Sequence, residues 1–155
     1  MKYDIKEEPS RVYYGISEVI DLNSDENTPF GDIWDKTAKM FDMKYFNPEW
    51  SAIGLEIYPY NFLEIRKFTY SALMPINSTE GLNQNRVIRL KAGKYIRFET
   101  TFVELTKGFI PKVYKYIQEN NIPVAFEFDY EEYPPEFNHS NPNSTVYVCF
   151  EYKGE

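Results

Sequence analysis

The chain predicts an α+β domain made of two pseudo-symmetric β-α-β-β repeats, residues 11–76 and 86–152, with an antiparallel sheet and a cleft between the halves. Two observations carry that expectation: a length of 155 residues, which suits one domain with its own core, and an order of strand-like and helix-like segments that runs through twice. A third concerns composition. Fourteen Tyr, 12 Phe and 2 Trp make up 18% of the chain, enough apolar surface to offset the ordering entropy of folding and more ring surface than a core of this size needs.

The first repeat opens on Arg11–Ile20, rich in β-branched and aromatic residues and so strand-like, closed by the polar loop Asp21–Asn27. A helix follows: Thr28 offers an N-cap hydroxyl, Pro29 suits the first helical position, and Phe30, Ile33, Trp34, Thr37, Ala38 and Phe41 recur at three- and four-residue steps as one apolar face. Ser51–Tyr58 and Lys67–Ile76 read as the next two strands, and Asn77–Asn85 as a polar connector. The second repeat begins with a strand over Arg86–Thr100. Its helix places Phe109, Val113 and Ile117 at four-residue spacing beside Tyr114, with Pro111 requiring either a start near Ile110 or a kinked first segment from Glu104. Ala125–Tyr130 and Thr145–Tyr152 supply two more strands around a loop, Glu131–Ser144, that holds three prolines. The acidic run Asp129–Glu136 reads as solvated surface.

Charge and residue inventory exclude several classes of function. A net charge of −7 and a pI near 4.9 disfavour direct nucleic-acid binding and anionic membranes. The lone Cys149, inside the alternating run Thr145–Phe150, has no disulfide partner and reads as a small buried hydrophobe. One Cys and the loop residue His139 cannot build a His/Cys zinc site, so no metal and no cofactor are expected. Nor is there a glycine-rich phosphate loop, nucleophile elbow or dinucleotide fingerprint. The first eight residues lack a signal-peptide core and no run is long enough to span a membrane, giving a cytoplasmic expectation. Asn-x-Ser/Thr triplets at Asn77, Asn138 and Asn143 then carry no glycosylation signal.

Several pieces taken in order carry a family likeness: the strand-loop-helix opening that ends in Ile33-Trp34, the Ala52-Ile53-Gly54 strand, and Leu90-Lys91-Ala92-Gly93-Lys94-Tyr95 at the start of the second half. The helix ending Tyr116–Asn121 and Phe126-Glu127 before a proline-rich loop complete the set. In that order and spacing the chain, from about Arg11 to Tyr152, resembles the effector-binding domain of bacterial multidrug-responsive regulators of the AraC and MerR classes and of stand-alone GyrI-like proteins. The resemblance implies a domain that binds hydrophobic, often cationic small molecules in an aromatic cleft with a central carboxylate, here without the DNA-binding module that family regulators carry. Where the family pattern has an aromatic two residues after that glutamate, this chain has Asp129.

Strand alternation places Phe126 and Phe128 on one face and Glu127 and Asp129 on the other, so the carboxylates look into either solvent or the cleft. The resemblance singles out Glu127, and Glu56 holds the corresponding place in the first half. The expected ligand-binding set is Glu127 and Glu56 with Tyr14, Trp34, Tyr58, Tyr70 and Tyr95; only one of Tyr13 and Tyr14 can face inward, and for Trp34 plain core packing is the competing reading. Three functions compete. The first is a non-enzymatic binding protein for aromatic or cationic compounds, acting as a regulator's ligand-binding domain, a sensor or a drug sequestrant. The second is a GyrI-like hydrolase in which Glu127 serves as general base beside Tyr95 or Tyr130. The third is an interaction module for a regulator or a topoisomerase.

Overall fold

Eight strands form one antiparallel sheet in the order β1-β6-β8-β7-β3-β4-β2-β5. They are β1 (Tyr3–Glu8), β2 (Arg11–Asp21), β3 (Ala52–Ile57), β4 (Lys67–Pro75), β5 (Val87–Leu90), β6 (Gly93–Thr101), β7 (Val124–Tyr133) and β8 (Thr145–Tyr152). Among the described residues four α-helices accompany them, α1 (Phe30–Met40), α2 (Phe62–Ile65), α3 (Phe102–Leu105) and α4 (Phe109–Glu119), with single 3-10 turns at Met43–Tyr45 and Gln84–Arg86. The computed structural model describes every residue except Asp25, Asn27 and Thr28, so the expected Thr28 cap lies outside the described residues.

The expected doubling is visible in the strand order. Read outward from the centre, β3-β4-β2 of the first half mirrors β7-β8-β6 of the second, and β3 and β7 pair antiparallel at the midline. Their register sets Gly54 opposite Glu131, Leu55 opposite Tyr130 and Glu56 opposite Asp129. The segment expected as one strand, Arg86–Thr100, divides at Lys91-Ala92 into β5, at one end of the strand order, and β6, next to the other end. Two consecutive strands can span those ends only if the sheet curls, and it does, as a half-barrel. Strand β1, unforeseen in the sequence, flanks β6 as an edge whose alternating charged residues suit an unpaired side.

One face of the curled sheet carries no helix and packs on itself through Tyr13, Leu55, Leu73, Tyr95, Tyr130 and the buried Cys149. On the other face α1 covers the first half, with Ile33 against Ile20, Phe68 and Ala72, and α4 covers the second, with Val113 and Ile117 against Ile96, Phe98 and Phe150. Thr37 pins α1 to two strands at once, its hydroxyl accepting from the Ile16 amide and donating to the Ala72 carbonyl. Ala38, expected on the apolar face, turns out to solvent, and Pro29 sits one position earlier than expected, at the N-cap. The Pro111 question resolves as a break: α3 ends before Gly108, which takes a positive φ of 84°, and α4 restarts so that Pro111 falls in its first turn, where an amide donor is not required.

Candidate functional site

Between the two helical caps, on the same side of the sheet, lies a cleft of about 780 Å³. From the first half α2 and its flanks contribute Tyr58, Tyr60, Phe62, Leu63 and Phe68; from the second, α4 and β7 contribute Ile110, Pro111, Tyr114, Phe126 and Glu127. Glu56 lines it as well, and no Lys, Arg or His does. Several wall residues stand open to solvent: Tyr60 fully, Leu63 at 88% and Phe126 at 53%. Such a concave, largely apolar surface with a few convergent polar groups suits a small organic ligand.

The floor is the β3–β7 junction. Glu56, Asp129 and Glu131 alternate with Leu55 and Tyr130 along the paired strands, so all three carboxyl groups face the helix side, where they are buried. The Tyr58 hydroxyl lies 2.7 Å from Glu56 Oε2 and 3.0 Å from Asp129 Oδ2, and Tyr114 reaches from α4 to donate to the same Oδ2. Glu131 extends over Gly54, where a Cβ would come within 2.4 Å of Glu131 Oε2 and 2.3 Å of the Tyr70 hydroxyl. That Oε2 is buried without a hydrogen-bond partner. Among the described residues none of the three carboxylates forms an ion pair.

Burial is the largest force on these groups and mutual repulsion the next. Glu56 is pushed up to about 8 by burial and then by the charge of Glu131. Glu131 is likewise pushed up to about 8, by burial and then by Asp129. Asp129 lies well above its ordinary value for the same two reasons, with Glu56 as its neighbour. Groups this close titrate as a unit. No group of three or more His, Cys, Asp or Glu among the described residues is arranged to hold a metal ion.

Of the expected ligand-binding residues, the structure brings Glu56, Tyr58 and Glu127 into one cleft. Glu56 is on the floor and Glu127 is exposed at the rim, its carbonyl accepting from the Tyr58 amide. Tyr70 and Trp34 stand behind the floor, joined by a 2.9 Å hydrogen bond from the indole to the phenol oxygen, with Trp34 edge-on to Tyr133. Tyr14 is buried on β2 outside the lining, and Tyr95 lies on the helix-free face, where its hydroxyl donates to the Lys91 carbonyl beneath the Arg11 guanidinium.

Sequence reading missed the deeper residues for two reasons. A β-bulge between Val124 and Asp129 resets the alternation, so Phe126 stacks on Tyr114 on the helix side while Phe128 approaches Tyr95 on the other. The expectation that these two phenylalanines share a face is thereby corrected. Strand β7 also continues to Tyr133, so Glu131 and Glu132, expected in a solvated acidic loop, are buried in the sheet. Glu132 faces the other side and meets Arg97 at 2.7 Å. Gly54 was the available signal for Glu131: a glycine inside a strand marks a position that something else must occupy.

A family model described as Cass2, integron-associated effector binding protein, matches residues 4–150. No curated protein matches. Among solved structures, SAV2435 bound to tetraphenylphosphonium superposes with a TM-score of 0.77 at 17% identity, covering 99% of this chain and 95% of that one. A bacterial transcription-regulation protein from Staphylococcus aureus MU50, itself described as putative, gives 0.73 at 18% identity and 99% of both chains. The integron cassette protein VCH_CASS2 from the mobile metagenome of Vibrio cholerae gives 0.67 at 18%, over 97% of this chain and 95% of that one. At these identities the likeness of the structures establishes a common fold.

Proposed function

Since the chain belongs to the integron-associated effector-binding protein family, we propose that it captures a lipophilic organic cation in the cleft between α2 and α4, over the Glu56–Asp129 floor. One observation carries this reading: Glu56, buried and without a basic partner, lines a ring-walled cleft, with the buried carboxyl groups of Asp129 and Glu131 beside it on the same face of the sheet. An isolated buried negative charge is costly, and a bound cation supplies the missing counter-charge. Tyr58, Phe62, Tyr114 and Phe126 line the same cleft, and each ring face turned to a desolvated cation is worth about 0.5–2 kcal/mol. A ligand with delocalised charge and large apolar area loses the least hydration on entering. Tetraphenylphosphonium, present in the SAV2435 structure, is such a compound and serves as the first probe.

The hydrolase alternative asks for Glu127 beside the hydroxyl of Tyr95 or Tyr130. Tyr95 donates to a backbone carbonyl and Tyr130 accepts from Arg11 in the core of the helix-free face, and neither residue lines the cleft. Isothermal calorimetry with tetraphenylphosphonium tests the binding reading. Stoichiometric binding that weakens at least about tenfold in Glu56→Gln supports it; unchanged affinity in that variant removes the carboxylate's role.

A further inference from the structure

The floor of the cleft holds more oxygen–oxygen contacts than its phenols have hydrogens. Three oxygen–oxygen contacts join Tyr58 to Glu56, Tyr58 to Asp129 and Tyr114 to Asp129, and each is at hydrogen-bond distance. Each contact needs one hydrogen between its two oxygens, yet the two phenols supply only two. If Tyr58 donates to Glu56, its contact with Asp129 needs a hydrogen from Asp129; if it donates to Asp129, Glu56 must supply one. By either assignment the pair holds a carboxyl proton. The remaining titratable groups facing the pair are Tyr70 from β4 and Glu131 and Tyr133 from β7, none of them a cation, and Trp34 from α1 is neutral. Glu131 Oε2, buried beside Tyr70 without a hydrogen-bond partner, brings no positive charge to the pair either.

We propose that this carboxyl proton sorts ligands into two classes that the same cleft accepts: permanent lipophilic cations, which displace it to solvent, and neutral aromatic bases, whose ring nitrogen accepts it as a hydrogen bond. The inference rests on the cation-binding reading and adds a second ligand class and a proton stoichiometry to it. For a permanent cation, the carboxyl O–H bond breaks, the proton leaves to water, and the carboxylate left behind pairs with the ligand. For a neutral base the hydrogen stays in the site, between carboxyl oxygen and ring nitrogen, and nothing is released.

Acridine and N-methylacridinium form a matched pair of nearly equal shape, one neutral near neutral pH and the other permanently charged. Calorimetry in two buffers of different ionisation enthalpy, from about pH 6 to about pH 7.5, counts the protons released by each. The proposal predicts about one proton released per N-methylacridinium bound, with affinity rising roughly tenfold per pH unit, and no release and a flat profile for acridine. N-methylacridinium binding without proton release, or acridine releasing as many protons as its methylated analogue, overturns the proposal while leaving cation binding intact. Failure of both compounds and of tetraphenylphosphonium to bind overturns the cation-binding reading, and this inference with it. In the Glu56→Gln, Asp129→Asn double variant, acridine binding persists through the amide donors and N-methylacridinium binding falls at least about tenfold. If that variant fails to fold, the wild-type proton count decides.

Discussion

Glu131 and Gly54 show how one residue type makes room for another. The carboxylate lies across a strand position that has no side chain, and a methyl group there would collide with both Glu131 Oε2 and the Tyr70 hydroxyl. Gly54→Ala is expected to destabilise the protein by about 1–3 kcal/mol, read from chemical denaturation, as an over-packing change in a buried sheet. Glu131 itself costs stability at high pH. Its folded value of about 8 lies above its ordinary 4.5, so between the two the folded chain binds more protons than the unfolded one. The contribution to stability is fully present below the ordinary value and is lost as pH rises through about 8. Glu131→Gln should therefore be more stable than the parent at pH 8 by on the order of 1–3 kcal/mol and nearly equal to it at pH 5, measured by urea midpoints at both.

At the scale of elements, periodicity made legible whatever obeys a single period. Both long helices bury residues that their spacing singled out, Ile33 and Thr37 on one and Val113 and Ile117 on the other, with Ala38 the exception. The doubled strand order was readable for the same reason. What escaped were breaks in period: the bulge in β7 reverses the faces of Phe126 and Phe128, and no local residue announces it. The acidic end of β7 escaped because composition reads Glu131 and Glu132 as solvated, whereas a long-range pairing with β3 draws them into the sheet. Among the site residues, Glu56 was visible from the halves' correspondence and Tyr58 from its place on a strand expected at their junction, while Tyr114 and Asp129 needed the register and the helix position together. The tie between α1 and the sheet is itself testable. Thr37→Val removes the hydroxyl that bridges Ile16 and Ala72, and a loss of about 1–3 kcal/mol, mostly from two stranded backbone groups, should appear in thermal or urea melts.

Across the whole molecule, the two halves meet along β3 and β7, and a buried arginine holds the curl from the helix-free side. Arg11 on β2 donates to Tyr13 and to Tyr130 on β7, and its guanidinium lies 5.1 Å from the Tyr95 ring centre on β6. It therefore links strands from both halves across the concave face. No helix of the described residues is long and apolar enough to cross a membrane. Apo stability should fall as pH rises from about 5 to about 8, because the raised carboxyl groups on the other side of the sheet lose their protons. A saturating lipophilic cation should reverse that trend, raising the melting temperature more at pH 8 than at pH 6, since it stabilises the state in which a carboxylate is ionised.

On the binding reading proposed above, a cation sits over the Glu56–Asp129 floor, between the rings of the first half and those of the second. A crystal structure with tetraphenylphosphonium tests it most directly. The phosphonium is expected inside the cleft, its phenyl groups against Tyr58, Phe62, Tyr114 and Phe126, and its charge above Glu56. The binding reading is contradicted by a ligand seated elsewhere, such as the smaller hollow beside Ile88 and Phe128, or by a fully occupied cleft in which no ring and no carboxylate of this set touches the cation.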